Sequence, residues 1–173
     1  QMRTSTIERI TNETKVNLVL DLDGVGKGKI KTNIPFFDHM LEQFTFHSLV
    51  DLELNARGDI DIDFHHSVED CGICLGKAFM EALGDKKGIN RYGFFLLPMD
   101  DALIRVALDF SGRSFFSWKV NFPTNRVGNF DLELVREFFN AFSTNSGATL
   151  HVELLDGLNS HHISEAVFKA MGK

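Results

Sequence analysis

A chain of 173 residues with 43% apolar content is long enough for one domain, or two small fused units, around a sizeable core. Its net charge of −6 argues against an extended nucleic-acid surface, so any anionic ligand must be held by a few basic residues gathered locally. No run approaches the roughly 18 apolar residues of a membrane span, and the opening Gln1-Met2-Arg3-Thr4 lacks the apolar core of a signal peptide. The expectation is a soluble protein with no nucleic-acid and no membrane partner. It would be cytoplasmic or, in a plant, in the plastid stroma after loss of a transit peptide.

In chain order, alternating apolar residues predict a strand over 16–23 and a second over 29–34 that runs into Pro35. An amphipathic helix follows over 37–46 and a third strand over 49–56. A glycine-containing turn then leads to a helix over about 67–83. The same series returns: strands over 102–110 and 115–122, a helix over 132–143, a strand over 148–154 and a helix over about 163–170. Strands and helices mixed in this way predict an α+β fold with helices on one face of a sheet.

The return is visible in the residues themselves. Leu20-Asp21-Leu22-Asp23-Gly24 matches Leu108-Asp109-Phe110-Ser111-Gly112, and Lys31-Thr32-Asn33-Ile34-Pro35 matches Lys119-Val120-Asn121-Phe122-Pro123 at the same offset. His65-His66-Ser67-Val68-Glu69 then matches His161-His162-Ile163-Ser164-Glu165. One short match would be chance, whereas three in the same order indicate an internal repeat. The predicted units are 1–87 and 88–173, joined near Lys87-Gly88 and packed as pseudo-symmetric halves of one compact domain.

Cys71 and Cys74 form a C-x-x-C pair. A redox pair belongs at a helix start, where the dipole lowers a thiol pKa. This one falls inside an apolar helix and reads as two small core residues. Two cysteines also fall short of a Cys₄ zinc site.

The repeated H-H-x-x-E motif is the strongest chemical signal. His65 and Glu69 stand at i, i+4 and can share a helix face, as can His161 and Glu165. Adjacent histidines on a helix point about 100° apart, so His65 with His66, and His161 with His162, reach two ions more easily than one. A lone H-H pair reads as surface polarity; two copies at matching places in a duplicated unit read as a dinuclear or paired metal site. Imidazole with carboxylate and no thiolate suits Mn²⁺ or Fe²⁺ at least as well as Zn²⁺. His39 precedes Phe44 on the first amphipathic helix as Glu137 precedes Phe142 on its counterpart. These two are therefore positional equivalents and are assigned as the remaining ligands. His47 ends a helix, where a cation complements the dipole. His151 lies in a strand and reads as a buried, hydrogen-bonded histidine, with ligation as the alternative.

Together these residues resemble the imidazoleglycerol-phosphate dehydratase family. The matching segments include Arg3-Thr4-Ser5, Asn12-Glu13-Thr14, Phe36-Phe37-Asp38-His39-Met40-Leu41, Asp63 through Asp70, Ala82-Leu83-Gly84-Asp85-Lys86 and Arg91-Tyr92-Gly93. Pro98-Met99-Asp100, Ser111-Gly112-Arg113, Asn159-Ser160-His161-His162 and Phe168-Lys169-Ala170 complete the set. The resemblance implies a duplicated α+β fold of the ribosomal protein S5 domain 2-like kind. It also implies two Mn²⁺ per site and a homo-oligomer of twenty-four subunits with active sites at subunit interfaces. The implied reaction, in histidine biosynthesis, converts D-erythro-imidazole glycerol phosphate to imidazole acetol phosphate and water, with imidazolate held between the two ions.

By the same resemblance Glu13 contacts substrate and is the acid/base, with Glu165 a ligand and a second proton acceptor. Arg91, Arg113 and Lys169 match phosphate-binding positions, and Gln43 and Met99 match positions near the substrate. Guanidinium forks suit bidentate phosphate contact. Three departures stand out. Phe64 precedes the first H-H where relatives commonly carry Asp or Pro, and Glu137 stands where some relatives have His. Relatives usually run past the Phe-Lys-Ala segment into more helix and a basic tail that helps hold the phosphate. This sequence ends at Met171-Gly172-Lys173; if such a tail is missing from the protein, substrate affinity and turnover are in doubt even where metals and assembly survive. Two other readings use the same ligands: a dinuclear hydrolase of a small phosphorylated metabolite that activates water, and an inactive assembly in which metals hold subunits together.

Overall fold

The computed structural model describes residues 3–58, 64–85 and 91–172. The first half contains β1 (Thr4–Ile10), β2 (Thr14–Asp21), β3 (Gly28–Lys31), α1 (Pro35–Ser48), β4 (Asp51–Gly58) and α2 (His65–Leu83). The second contains β5 (Tyr92–Met99), β6 (Ala102–Asp109), β7 (Phe115–Lys119), a short ribbon of β8 (Arg126–Val127) and β9 (Phe130–Asp131), α3 (Glu133–Ser146), β10 (Thr149–Asp156) and α4 (Ser160–Gly172). The predicted junction at Lys87-Gly88 lies outside the described residues.

The two four-stranded sheets have the same order, β1-β2-β4-β3 and β5-β6-β10-β7. In each, the last strand pairs in parallel and the others antiparallel. The register repeats as well. Leu52 stands opposite both Leu20 and Gly28, as Leu150 stands opposite both Leu108 and Phe116. The α+β fold with duplicated halves is therefore present.

Helices α1 and α2 pack on the first sheet and α3 and α4 on the second; the layers meet where α2 crosses α3 and α1 crosses α4. One continuous apolar cluster fills the sandwich. At its centre Phe139 lies 4.8 Å from Phe168 and 5.1 Å from Phe138 (ring centroids), joining α3 to α4. Burying each such ring contributes roughly 2–3 kcal/mol. The helix crossings are close because glycine lies at both. A Cβ on Gly76 would sit 2.8 Å from the Phe142 carbonyl, and one on its repeat equivalent Gly172 2.7 Å from the Phe44 carbonyl. Cys71 and Cys74 are buried on α2, as core residues should be. Among the described residues no helix is long and apolar enough to cross a membrane.

Two edge strands were not evident from alternation. The inward positions of β1 are Ser5, Ile7 and Arg9, too polar to mark a buried face. In β5 both faces are apolar, Tyr92, Phe94 and Leu96 outward against Phe95, Leu97 and Met99 inward, so period 2 vanishes. Pro98 is tolerated because β5 is an edge. At the start of β4, Leu49 has a φ of 60° and caps α1, which delays the strand to Asp51. Helices α2 and α4 begin earlier than predicted, at His65 and Ser160, which places both H-H pairs inside first helical turns.

Candidate functional site

On α1, Phe37, Met40, Leu41 and Phe44 face the core, which leaves His39 on the exposed side of the helix. On α4, Ile163, Ala166 and Val167 are buried. Glu165, one turn after His161, is only 8% exposed and looks toward α1. The crossing of these helices gathers four side chains. His39 Nε2 lies 3.3 Å and His161 Nδ1 3.5 Å from the same oxygen, Glu165 Oε1. Lys169 Nζ lies 3.7 Å from Glu165 Oε2 and donates to Met99 Sδ at 3.3 Å. Gln43 is half-buried one turn after His39.

His162, about 100° further round the helix than His161, reaches other partners. Its Nδ1 is 2.6 Å from Asp101 Oδ1, and its Nε2 is 3.7 Å from Asp100 Oδ2. Asp101 also accepts the backbone N–H groups of Leu158 and Asn159, which ties the β5–β6 turn to the start of α4. The His162 bond, with those amides, holds the Asp101 carboxyl far below the usual carboxylate range, and Asp101 raises the His162 pKa in return.

The α2–α3 crossing carries the counterpart. His65 Nε2 is 2.9 Å from Glu69 Oε2, and the rings of His65 and His66 lie 77° apart. Glu137 is half-buried on α3 and accepts a hydrogen bond from Arg136 Nη1 at 3.2 Å. A cavity of about 680 Å³ opens beside it, lined in part by Trp118, Arg126, Asp131 and Arg136. Each candidate ligand is thus on one of two helix crossings. Among the described residues no group of three or more His, Cys, Asp or Glu side chains is close enough to hold an ion within one chain. The donor chemistry, imidazole plus carboxylate, still fits a borderline divalent cation.

The other predicted residues lie around these crossings. Glu13 is exposed in the β1–β2 turn, where Thr11 Oγ1 accepts its backbone N–H. Among the described residues its carboxylate makes no hydrogen bond or ion pair. Arg91 is paired with Asp109 at 2.6 Å and lies over the Tyr92 ring. Arg113 is exposed in the loop that follows β6, near Thr149. Lys169 and Met99 stand at the opposite end of the second sheet, roughly 25 Å away along β5 by strand rise. The three phosphate candidates are not together within one chain.

His47 occupies the last turn of α1. The reading of His151 as a buried histidine is corrected: it is exposed on the outer face of β10, stacked on Phe115 at 5.5 Å. Its outward position in the alternation of β10 decides this. Asp101 was missed, although the repeat could have found it. The register that aligns Leu20 with Leu108 also aligns Glu13 with Asp101.

Comparison with known proteins adds to this geometry. Residues 32–173 match the family profile of imidazoleglycerol-phosphate dehydratase. A relative of that name from Cereibacter sphaeroides is 57% identical over 99% of this chain and 88% of its own length. The crystal structure of imidazoleglycerol-phosphate dehydratase from Staphylococcus aureus superposes with a TM-score of 0.88 at 39% identity, covering 98% of this chain and 96% of that one. The Pyrococcus furiosus enzyme, solved in complex with (S)-C348, superposes with a TM-score of 0.84 at 37% identity, covering 96% and 89%.

Proposed function

The chain belongs to the imidazoleglycerol-phosphate dehydratase family and is a hydro-lyase of histidine biosynthesis, and from that premise we propose how its residues divide the work. The substrate is D-erythro-imidazole glycerol phosphate and the products are imidazole acetol phosphate and water. The reaction expels hydroxide from the carbon beside the imidazole and removes a weakly acidic proton from its neighbour, and the resulting enol becomes the ketone. The observation that carries the assignment is the buried Glu165 carboxylate, which joins His39 of α1 to His161 and Lys169 of α4.

Two sets of donors would hold two Mn²⁺ ions: His39, His161, His162 and Glu165 from one crossing, and His65, His66, Glu69 and Glu137 from the other. Bound there, the ions supply Lewis acidity and stabilise negative charge on the substrate ring. Glu13 exchanges the proton at the reacting carbon, for which an unengaged carboxylate on a turn is suited. Glu165, with Lys169 3.7 Å away, is the second proton acceptor. Lys169, Arg91 and Arg113 bind the phosphate, and Gln43 and Met99 orient the rest of the substrate.

The separation of Arg91 and Arg113 from Lys169, and of the two donor sets, supports a site completed between chains of a homo-oligomer, with twenty-four subunits as the reading. The exposed apolar outer face of the second sheet offers a surface for such contacts, with Tyr92 69% and Phe94 66% exposed. The Cereibacter sphaeroides relative is bacterial, which supports a cytoplasmic setting.

The test is turnover of imidazole glycerol phosphate by Mn²⁺-loaded wild type and Glu13→Gln, with bound metal and assembly mass measured on both. Loss of the enolisable ketone product in the variant at unchanged metal and mass supports the scheme. Release of inorganic phosphate by the wild type would instead identify a hydrolase.

A further inference from the structure

The two halves secure their hairpin turns to their helices by different means. In the second half the turn residue Asp101 does this itself, bonded to His162 and to two amides at the start of α4. Its repeat equivalent Glu13 has no such bond among the described residues, although His66 occupies the place equivalent to His162. A different carboxylate anchors the first half. Asp70 is 8% exposed. It accepts a hydrogen bond from Thr14 Oγ1 through Oδ2 and one from Arg9 Nε at 3.1 Å through Oδ1.

Thr14 closes the turn that carries Glu13. Its hydroxyl donates to Asp70 and so accepts from Thr11 Oγ1 at 3.1 Å. Thr11 Oγ1 in turn accepts the backbone N–H groups of Glu13 and Thr14. A chain of hydrogen bonds therefore runs from α2, one residue past Glu69, to the backbone N–H of Glu13. Among the described residues the second half has nothing comparable: the equivalents of Arg9, Thr14 and Asp70 are Leu97, Ala102 and Ala166, all buried and apolar.

We infer that Asp70 is a positioning residue: with Thr14 and Arg9 it holds the β1–β2 turn on α2, so that the Glu13 carboxylate is left unbound for proton transfer. This rests on the reading of Glu13 as the acid/base. Satisfied buried polar networks hold one geometry. An acid/base whose turn shifts by about 1 Å can lose on the order of a hundredfold in rate.

The test uses the full-length Mn²⁺-loaded protein and three variants: Thr14→Val, Thr14→Ser and the triple change Arg9→Leu, Thr14→Ala, Asp70→Ala. The triple change transplants the apolar set that already packs in the second half, so it avoids stranding the Arg9 charge. Two readouts are compared, amide hydrogen exchange of Glu13 and Thr14 and steady-state kinetics.

Thr14→Val and the triple variant should exchange these two amides at least about tenfold faster. Their kcat should fall about ten- to a hundredfold, with KM changed by less than about threefold. Thr14→Ser should stay near wild type. In the Glu13→Gln background the triple change should add little further loss, because residues that act as a unit are non-additive. Unchanged exchange at Glu13 and Thr14 in a folded triple variant overturns the proposal, as does a full additive loss in the Glu13→Gln background. Should Glu13→Gln itself turn over like wild type, the acid/base reading fails, and the exchange data still decide whether Asp70 holds the turn.

Discussion

The two sheets repeat each other strand for strand, yet their outer faces differ. The first presents Lys15, Asn17, Lys29, Lys31, Glu53 and Arg57, an ordinary solvated face. The second presents Tyr92, Phe94, Leu96 and Phe115, crossed by one ionic row in which Arg105 pairs with Glu153 at 2.6 Å. Inward positions of both must pack on helices and so remain alike. Outward positions answer to whatever lies beyond the chain, and there the copies have diverged. The same division separates the helix crossings, where Glu165 binds across from α4 to α1 whereas the described partner of Glu137 is its neighbour Arg136.

The sharpest way to break the comparison is to remove one carboxylate from each crossing. Glu165→Gln and Glu69→Gln should each lower kcat/KM by at least about a hundredfold, with the loss of Mn²⁺ read by metal analysis. If only one falls, the halves are not chemically equivalent. Next come the outer faces. Phe94→Ser with Phe115→Ser should shift the assembly to smaller species in analytical ultracentrifugation, whereas Val19→Ser on the first sheet should leave its mass unchanged. The reverse pattern would place the subunit contact on the other face.

A smaller effect compares the glycines. Gly76→Ala places a methyl against the Phe142 carbonyl in mid-helix, and Gly172→Ala one against the Phe44 carbonyl at the last turn of α4. Overpacking costs about 1–3 kcal/mol. Denaturant titration should show the larger loss at Gly76, where the helix cannot shift its end to make room.

The smallest effect concerns the buried thiols. Burial pushes Cys74 up to about 11 and Cys71 well above the usual thiol range. At pH 8 Cys74 is then about one part in a thousand thiolate, and a thiol reagent should label the native protein far more slowly than the unfolded chain. Because the folded pKa is raised, this contribution to stability is complete below the ordinary thiol value near 9. It is lost as pH rises toward 11, so a Cys74→Ala variant should show a flatter stability profile across that window.

Much of the molecule was legible in advance for a definite reason. Repeats, strand alternation and the i, i+4 spacing of His65 with Glu69 and of His161 with Glu165 are one-dimensional patterns, and local geometry converts them directly into shared faces. Resemblance supplied the family, and the repeat paired His39 with Glu137. The edge strands escaped because β1 buries polar residues and β5 is apolar on both sides, so neither displays the period. His151 was misplaced because two sides of a strand look alike until the sheet shows which one the helices cover.

What the amino-acid order determined by itself was the duplicated set of elements and the chemical types of the donors. Only the tertiary structure decided that α1 meets α4 and α2 meets α3, which brings His39 to Glu165 across 126 residues of chain. The same packing let Asp70 take over in one half the anchoring that Asp101 performs in the other. Contacts between elements depend on how helices pack over sheets, and no local spacing encodes that.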